Sequence, residues 1–283
     1  MKKILLIIDG LNYVADDVRF AASVAAAAGA KLSGLFIQDT SAISSGAEMK
    51  MVAGQVYVEE IALSGDEQME INKKIEKNIA LFNEDCAASG VIGHSLRAQG
   101  VPLDVILRES RFSDMLIISP LLSFSAEKNI PTHFVTGVLT ASECPVVLSP
   151  EIYRTIDEIV VAYDGSRSAA FAIRQFSQIL PGLGNKPVKV LHITEEGNEH
   201  YDLRYDDLFA DWMNFHFTDF TIISFRGNAR DVLFNYFMEE KESNNKLLVA
   251  GAYGRNAISR FFRPGTTDLV LKAADIPVFI AHS

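Results

Sequence analysis

The sequence predicts an α/β protein made of two consecutive copies of one parallel-sheet domain. Short, continuous apolar runs such as Lys3 to Ile8 are typical of strands that are covered on both faces of a sheet. Segments with the apolar spacing of helices separate these runs, and strands that alternate with helices form parallel sheets through right-handed crossovers. The same order restarts at Glu158. A period of roughly 130 to 155 residues is too long for a solenoid unit and indicates duplication of a whole domain.

The elements of the first copy follow from the N-terminus onwards. The first strand ends at Asp9-Gly10, and a helix follows to Ala28. The apolar residues from Gln38 to Ser64 show only a weak periodic pattern, so we expect this region to be a long excursion with one helix. The remaining predicted elements are strand Lys31 to Ile37, helix Asp66 to Ala88, strand His94 to Ala98, a helix around Val105, strand Met115 to Ile118, helix Thr136 to Ala141 and strand Pro145 to Leu148.

The second copy repeats this order of strands and helices. Four segments can be matched between the copies: Ile4 to Gly10 with Ile159 to Gly165, Lys31 to Ile37 with Val188 to Ile193, Gly100 to Ile106 with Gly227 to Leu233, and Pro145 to Leu148 with Pro277 to Ile280. A helix is expected from Ser168 to Leu180. The copies meet near Ser149 to Thr155, so we expect domains at residues 1–150 and 156–283.

A glycine-rich segment close to the C-terminus most nearly indicates a function. The apolar run Leu247 to Ala250 breaks into Gly251-Ala252-Tyr253-Gly254, and the chain reaches Gly265-Thr266-Thr267 just before a new helical pattern. Glycines let backbone N–H groups approach a ligand closely, and a helix N-terminus offers unpaired donors. The layout therefore suits an anion such as a phosphate, with an ordinary strand-to-helix turn as the alternative interpretation.

Composition and charge limit the possible partners. The chain is 48% hydrophobic and 22% charged, which is typical of a soluble globular protein. Its net charge of −10 disfavours nucleic acid and anionic membrane surfaces. Cys86 and Cys144 have no metal-ligand or redox spacing, and the N-terminal apolar run ends at Asp9, too short for a signal peptide. No apolar run approaches the roughly 20 residues of a membrane span, so we predict a cytoplasmic protein.

With the repeat assigned, the chain resembles a tandem universal stress protein. The resemblance covers essentially the whole chain, and its most specific residues are Asp9-Gly10, Asp164-Gly165-Ser166, Val190 to Ile193 and the segment Gly251 to Thr267. It implies that each copy is a Rossmann-like, adenine nucleotide hydrolase-like domain: a five-stranded parallel sheet with helices on both faces. It also implies that a nucleotide binds at the carboxyl ends of the strands.

The resemblance implies an ATP site in the second copy, with a magnesium ion brought by the nucleotide. Asp164 is expected to accept a hydrogen bond from a ribose hydroxyl or to cap the next helix. Ile193 is expected to offer backbone groups to the adenine ring or to be a core residue. The full set of candidate ligand residues is Tyr163, Asp164, Gly165, Ile193, Gly251, Gly254, Arg255, Gly265, Thr266 and Thr267.

Both copies depart from the family's glycine pattern. Ten residues, Arg255 to Pro264, separate the last two glycines here. This is one residue more than in ATP-binding members of the family. Either the loop carries one extra residue and Gly265-Thr266 keep the phosphate role, or Pro264 and Gly265 replace that pair. The second case would weaken phosphate binding, because Pro264 has no N–H to donate. The first copy has Ser119-Pro120-Leu121-Leu122 where the second has its glycine pair. We therefore expect the first domain to lack the triphosphate cradle and Asp9 to be a helix cap.

These features favour a stress-response protein that binds ATP or a related adenine nucleotide in its second domain. The main alternative is a scaffold in which both sites are degenerate, as Pro264 would favour. A third is a binder of another metabolite or lipid, with a cavity lined by the excursion Met49 to Val58 and by the aromatic residues Phe209, Trp212, Phe215, Phe217 and Phe220. No catalytic motif or general base is evident, so at most slow ATP hydrolysis is expected.

The resemblance also implies how the two copies contact each other. Single domains of the family commonly pair through their last strands. Here Val146 to Leu148 and Val278 to Ile280 would form that contact within one chain, which would then be its own pseudo-dimer. Formation of a further homodimer stays open.

Overall fold

The computed structural model describes residues 2–41, 47–52, 55–60, 64–125, 129–194, 203, 206–239, 245–251 and 275–281. Within them the first half contains β1 (Lys3–Asp9), α1 (Ala15–Ala28), β2 (Lys31–Asp39), β3 (Ala47–Val52), β4 (Gln55–Glu60), α2 (Gly65–Ala88), β5 (Gly93–Gly100), α3 (Pro102–Ser110), β6 (Met115–Ile118), α4 (His133–Ala141) and β7 (Val146–Leu148). The second half contains β8 (Glu158–Tyr163), α5 (Arg167–Ile179), a 3-10 turn (Pro181–Leu183), β9 (Val188–Thr194), α6 (Asp207–His216), β10 (Phe220–Arg226), α7 (Ala229–Glu239), β11 (Lys246–Gly251) and β12 (Val278–Ala281).

One ten-stranded sheet runs through both halves, in the order β10-β9-β8-β11-β12-β7-β6-β1-β2-β5. Each half contributes five parallel strands. The halves join where β12 runs antiparallel to β7, with Phe279 opposite Val147. Because the strands of the two halves run in opposite directions, their carboxyl ends lie on opposite sides of the molecule.

Two apolar cores cover the two faces of the sheet. One core packs α1, α2, α5 and α6 against one face, and the other packs α3, α4 and α7 against the opposite face. Each core contains residues from both halves, because the antiparallel junction keeps corresponding faces on the same side. The prediction of two five-stranded parallel sheets with helices on both faces is confirmed.

Two elements differ from the sequence expectation. In the excursion after β2, strands β3 and β4 pair antiparallel in a separate two-stranded sheet, where we expected one helix. Strand β10 was not predicted, and it begins at Phe220, the last residue of the aromatic segment that was considered as a cavity lining. Its apolar residues occur on both faces, because a strand in an α/β sheet is covered by helices on both sides, and so the alternating pattern of a half-exposed strand is missing.

Side chains at the junction hold the two halves together. The Lys2 ammonium donates to the carbonyls of Gln178 at 2.5 Å and Ile179 at 2.7 Å, where a cation suits the C-terminus of α5. The carboxylate of Asp275, just before β12, accepts the backbone N–H of Glu151 at 2.6 Å and a hydrogen bond from Arg154 at 3.2 Å. The segment that links the halves is therefore tied to the second half.

Candidate functional site

The strand order places the candidate site of the second half at a switch point. From β8 the chain proceeds to β9 on one side, whereas β11 lies on the other side. Open parallel sheets bind ligands at the carboxyl ends of the two strands that flank such a point. Ala250 pairs with Ala162, and Tyr163 pairs with His192. The structure therefore brings these five predicted site residues to one end of the sheet: Tyr163, Asp164, Gly165, Ile193 and Gly251.

The turn after β8 exposes a carboxylate next to a helix start. Gly165 has a φ of 79°, which a residue without a side chain adopts at little cost. Oδ1 of Asp164 accepts the N–H of Ser166 at 2.9 Å, and the Ser166 hydroxyl accepts the N–H of Ala169 at 3.2 Å. Ser166 is thus the cap of α5, and the alternative that Asp164 caps this helix is wrong. The sequence signal was a serine directly before a run of helix formers.

Gly251 lies against the first turn of α5. A Cβ atom at this position would stand 2.4 Å from the carbonyl carbon of Ser168 and 2.5 Å from the nitrogen of Ala169. The absence of a side chain is therefore required by packing, whether or not a ligand binds. The first turn of α5 carries no acidic residue and begins with Arg167 and Ser168. Such a helix N-terminus is electrostatically suited to an anion.

Tyr163 and Ile193 have side chains that belong to the cores. Tyr163 is 7% exposed, and its ring centroid lies 4.9 Å from that of Phe209. Ile193 is 4% exposed and packs in the opposite core. Both side chains are buried in the cores, so we expect these residues to offer backbone groups to a ligand.

The other half of the predicted site cannot be placed. Gly254, Arg255, Gly265, Thr266 and Thr267 lie outside the described residues, as does Pro264.

In the first half, local groups occupy the turn that matches Asp164. The Asp9 carboxylate accepts the N–H of Leu11 at 2.9 Å and the amide of Asn12 at 2.6 Å. The buried Asn78 donates to the carbonyl of Gly10 at 2.9 Å. Helix α1 begins only at Ala15, after Val14, so the prediction that Asp9 caps it is wrong. The longer turn separates Asp9 from the helix start.

The loop after β6 in the first half is folded onto a helix start. Strand β6 pairs with β7 in the same register as β11 pairs with β12, so Ser119 corresponds to Gly251. The Leu122 carbonyl accepts the Thr132 hydroxyl at 2.6 Å, and the Pro120 carbonyl accepts the Thr132 N–H at 3.1 Å. The Thr132 hydroxyl in turn caps α4 by accepting the N–H of Val135. Groups at this helix start are therefore bonded to the protein itself.

The first turn of α1 is acidic, in contrast to that of α5. It contains Asp16 and Asp17. Oδ1 of Asp17 accepts the hydroxyl of the buried Ser149 at 2.5 Å. Burial raises the pKa of the Asp17 carboxyl from its ordinary value of 3.8 to about 6, against the opposing effect of the Ser149 hydrogen bond. No sequence pattern indicated this pair, whose two residues lie 132 positions apart in the chain.

Replacing Asp17 with asparagine is expected to change the pH dependence of stability. Because the folded pKa is above the unfolded one, the carboxyl contributes stability that is full below pH 3.8 and is lost as the pH rises through about 6. Asparagine keeps an acceptor for Ser149 without a charge. Near pH 7, we expect the free energy of unfolding of Asp17→Asn to be about 2 kcal/mol higher than that of wild type. Near pH 4, we expect the two proteins to have similar free energies of unfolding. Urea titrations at both pH values measure this; a gain of equal size at both would contradict it.

Other candidate groups have structural roles. Phe209 and Phe217 are core residues, whereas Phe215 is 88% exposed, so the aromatic segment does not line one cavity. His192, Cys86 and Cys144 are buried, and both cysteines are free thiols. Among the described residues, no cluster of His, Cys, Asp or Glu could hold a metal ion. In the same part of the chain, no helix combines the length and apolar character needed to span a membrane.

Comparison with known proteins gives the fold a name. Neither protein-family models nor curated proteins match the sequence. A universal stress protein from Archaeoglobus fulgidus DSM 4304 matches the structure with a TM-score of 0.71 and 17% identity, over 99% of this chain and 96% of that chain. A functionally unknown protein from Pseudomonas aeruginosa PAO1 matches with a TM-score of 0.61 and 15% identity, over 100% and 92%. The chain therefore has the fold of a universal stress protein, with two such sheets in succession.

Proposed function

We propose that this chain is a cytoplasmic tandem universal stress protein whose second domain binds ATP or a related adenine nucleotide. One observation carries the proposal. Asp164 and Gly251 flank the switch point of the second half, beside the N-terminus of α5, whose first turn has no acidic residue. A nucleotide needs this combination, because its ribose requires an acceptor and its phosphates require a helix start without repelling charge.

Each candidate residue has a role in this proposal. The Asp164 carboxylate accepts a ribose hydroxyl, and the backbone at Ile193 contacts the adenine ring. The glycine segment supplies backbone N–H groups to the phosphates through Gly254 and Gly265-Thr266, with Arg255 as a countercharge. A magnesium ion would bind with the phosphates and neutralise part of their charge. Binding then changes the conformation or the partners of the protein, as a regulatory or protective module requires.

We propose that the first domain, within residues 1–150, lacks the triphosphate cradle. Three features support this. The Asp9 carboxylate accepts the side-chain amide of Asn12 in addition to the N–H of Leu11, the loop after Ser119 is bonded to the start of α4 through Thr132, and the first turn of α1 carries Asp16 and Asp17. Two carboxylates at a helix start would repel a phosphate group.

Isothermal titration calorimetry with ATP and Mg²⁺ tests the proposal through a matched pair of variants. The Asp164→Ala variant should bind ATP about tenfold more weakly, because one charge-assisted hydrogen bond is worth about 1.4 kcal/mol or more. The Asp9→Ala variant, changed at the same position of the other half, should bind as wild type does. Absence of measurable heat for the wild type, or an equal loss in both variants, would reject nucleotide binding in the second domain.

A second titration examines the glycine segment. Gly254→Val is expected to abolish the binding signal, because a branched side chain would keep the backbone N–H groups from the phosphates. Ser119→Val, at the start of the corresponding loop of the first half, should leave the affinity unchanged. If the Gly254 variant retained full affinity, the phosphates would not lie on this loop.

The second candidate function is a scaffold without a nucleotide. Pro264 favours it, since this residue can leave the loop without the donor that the family pattern places there. Mass spectrometry of protein purified without added ligand separates the two functions. Co-purified adenine nucleotide supports the first, whereas nucleotide-free protein with no calorimetric response supports the second.

A further inference from the structure

Within the described part of the chain, strand β10 forms one end of the ten-stranded sheet and pairs with β9 alone. The N–H of Val188 bonds to the carbonyl of Asp219 and the N–H of Gly227 bonds to that of Thr194, each at 3.0 Å. Odd-numbered residues of β10 therefore direct their backbone groups towards β9. Since the direction alternates along a strand, the backbone groups of four residues point outwards: Phe220, Ile222, Ser224 and Arg226.

The opposite end of the sheet, β5, is protected at the same positions. In the first half Leu32 pairs with Gly93, just as Val188 pairs with Phe220 in the second half, so Gly93 corresponds to Phe220. The residues of β5 whose backbone groups point outwards are therefore Gly93, Ser95, Arg97 and Gln99. A Cβ atom on Gly93 would stand 2.8 Å from Phe82 and from Cys86, which shows that α2 packs closely over this edge. Arg97 bonds to Asn72 of the same helix. A covering helix and an edge charge are devices that prevent a further strand from adding.

Among the described residues, the β10 edge is less protected, since its single charge, Arg226, lies at the end of the strand. At the position of Gly93, over which α2 packs closely, β10 has Phe220, and at the position of Ser95 it has Ile222. The helix before β10, α6, has 10 residues against 24 in α2. On α6, Leu208 and Phe215 are seven positions apart on one side and are 84% and 88% exposed. An edge strand with apolar residues and outward backbone groups is suited to pairing with another strand.

We propose that β10 is the interface of a homodimer, in which it pairs antiparallel with β10 of a second copy. The β7–β12 junction of this chain already joins two sheets of this fold in that way, through three residue pairs, with helices continuing on the same faces. A twofold axis through Ile223 would pair all seven residues of β10. It would set Phe220 opposite Arg226 of the partner subunit, a cation–π arrangement. Arg226 is the only charged residue in the strand, so the net charge of −10 lies elsewhere.

Light scattering coupled to size-exclusion chromatography on the nucleotide-free chain tests the interface. Wild type should have twice the mass of the chain. Ser224→Pro removes one outward N–H at an exposed position and leaves the bonds to β9 intact, so this variant should be a monomer. Ser95→Pro makes the same change on the β5 edge and should remain a dimer. A monomeric wild type, or a variant pair that behaves in the reverse way, would overturn the proposal.

A second variant and a second measurement cover the case in which the proline variant does not fold. Ser224→Lys adds a charge to the same exposed position and should also give a monomer. Amide hydrogen exchange of wild type is then measured above and below the protein concentration at which the dimer dissociates. On dilution, the protection factors of the Phe220–Arg226 segment should fall at least tenfold more than those of β5. Protection that does not depend on concentration would overturn the proposal.

Discussion

Gly251→Ala is expected to lower the free energy of unfolding by about 3 kcal/mol. The added Cβ would stand 2.4 Å from the carbonyl carbon of Ser168 and 2.5 Å from the nitrogen of Ala169. Both atoms belong to the backbone in the first turn of α5, so no side-chain rotation relieves the overlap. The helix must move away from the sheet, and apolar contacts between α5 and β11 are lost. Urea denaturation monitored by circular dichroism measures the change.

The first half supplies a matched control for Gly251. Ser119 occupies the corresponding position after β6 and already carries a Cβ, and its hydroxyl lies 3.3 Å from the N–H of Leu121. Ser119→Ala should therefore change stability by less than about 1 kcal/mol, the value of one exposed hydrogen bond. If Gly251→Ala were as mild as Ser119→Ala, the close approach of β11 to α5 would not exist in solution. Gly251 would then have to be explained by a ligand alone.

Glu158→Gln is expected to lower the free energy of unfolding by about 3 kcal/mol, because it removes a negative charge that lies 3.7 Å from a buried ammonium group. The Lys246 side chain is 3% exposed, and its Nζ lies 3.7 Å from Oε1 of Glu158. Nζ of Lys189 lies 3.2 Å from Oε2 of the same carboxylate. The ring of Tyr236 lies 5.1 Å from the Lys246 ammonium and supplies only a part of the attraction that is lost.

The first half again supplies the control. Lys3 stands where Glu158 does, at the start of the first strand, and pairs with Glu109 at 3.1 Å. Its side chain is 34% exposed, so Lys3→Gln should cost less than about 1 kcal/mol. Both variants are compared by thermal and urea unfolding at neutral pH. Equal effects in the two halves would show that burial of Lys246 does not determine the cost.

The sequence was sufficient for the architecture because burial on both faces of a parallel sheet leaves a strong local signal. The apolar runs at Lys3, Met115 and Leu247 all became strands, and the duplicated order predicted two sheets. The Asp-Gly pairs also marked where β1 and β8 end. These features depend on residues adjacent in the chain, where composition and spacing carry the information.

Tertiary structure decided how the predicted site residues are used. Asp9 and Asp164 look alike in the sequence, and each accepts the N–H two residues further on, yet Asp9 also accepts the Asn12 amide whereas Asp164 lies beside a serine cap. Gly251 was explained by a ligand, but the backbone of α5 also requires it. The Asp17–Ser149 pair joins residues that only folding brings together.

The sequence by itself therefore determined the fold class and the duplication. Only the tertiary structure decided which copy has a helix start without acidic residues, why Gly251 has no side chain and which sheet edge is unprotected. The physical reason is distance along the chain. Strand and helix patterns are set by near neighbours, whereas charge, packing and edge protection at a site depend on segments that are far apart in sequence and meet only in the folded sheet.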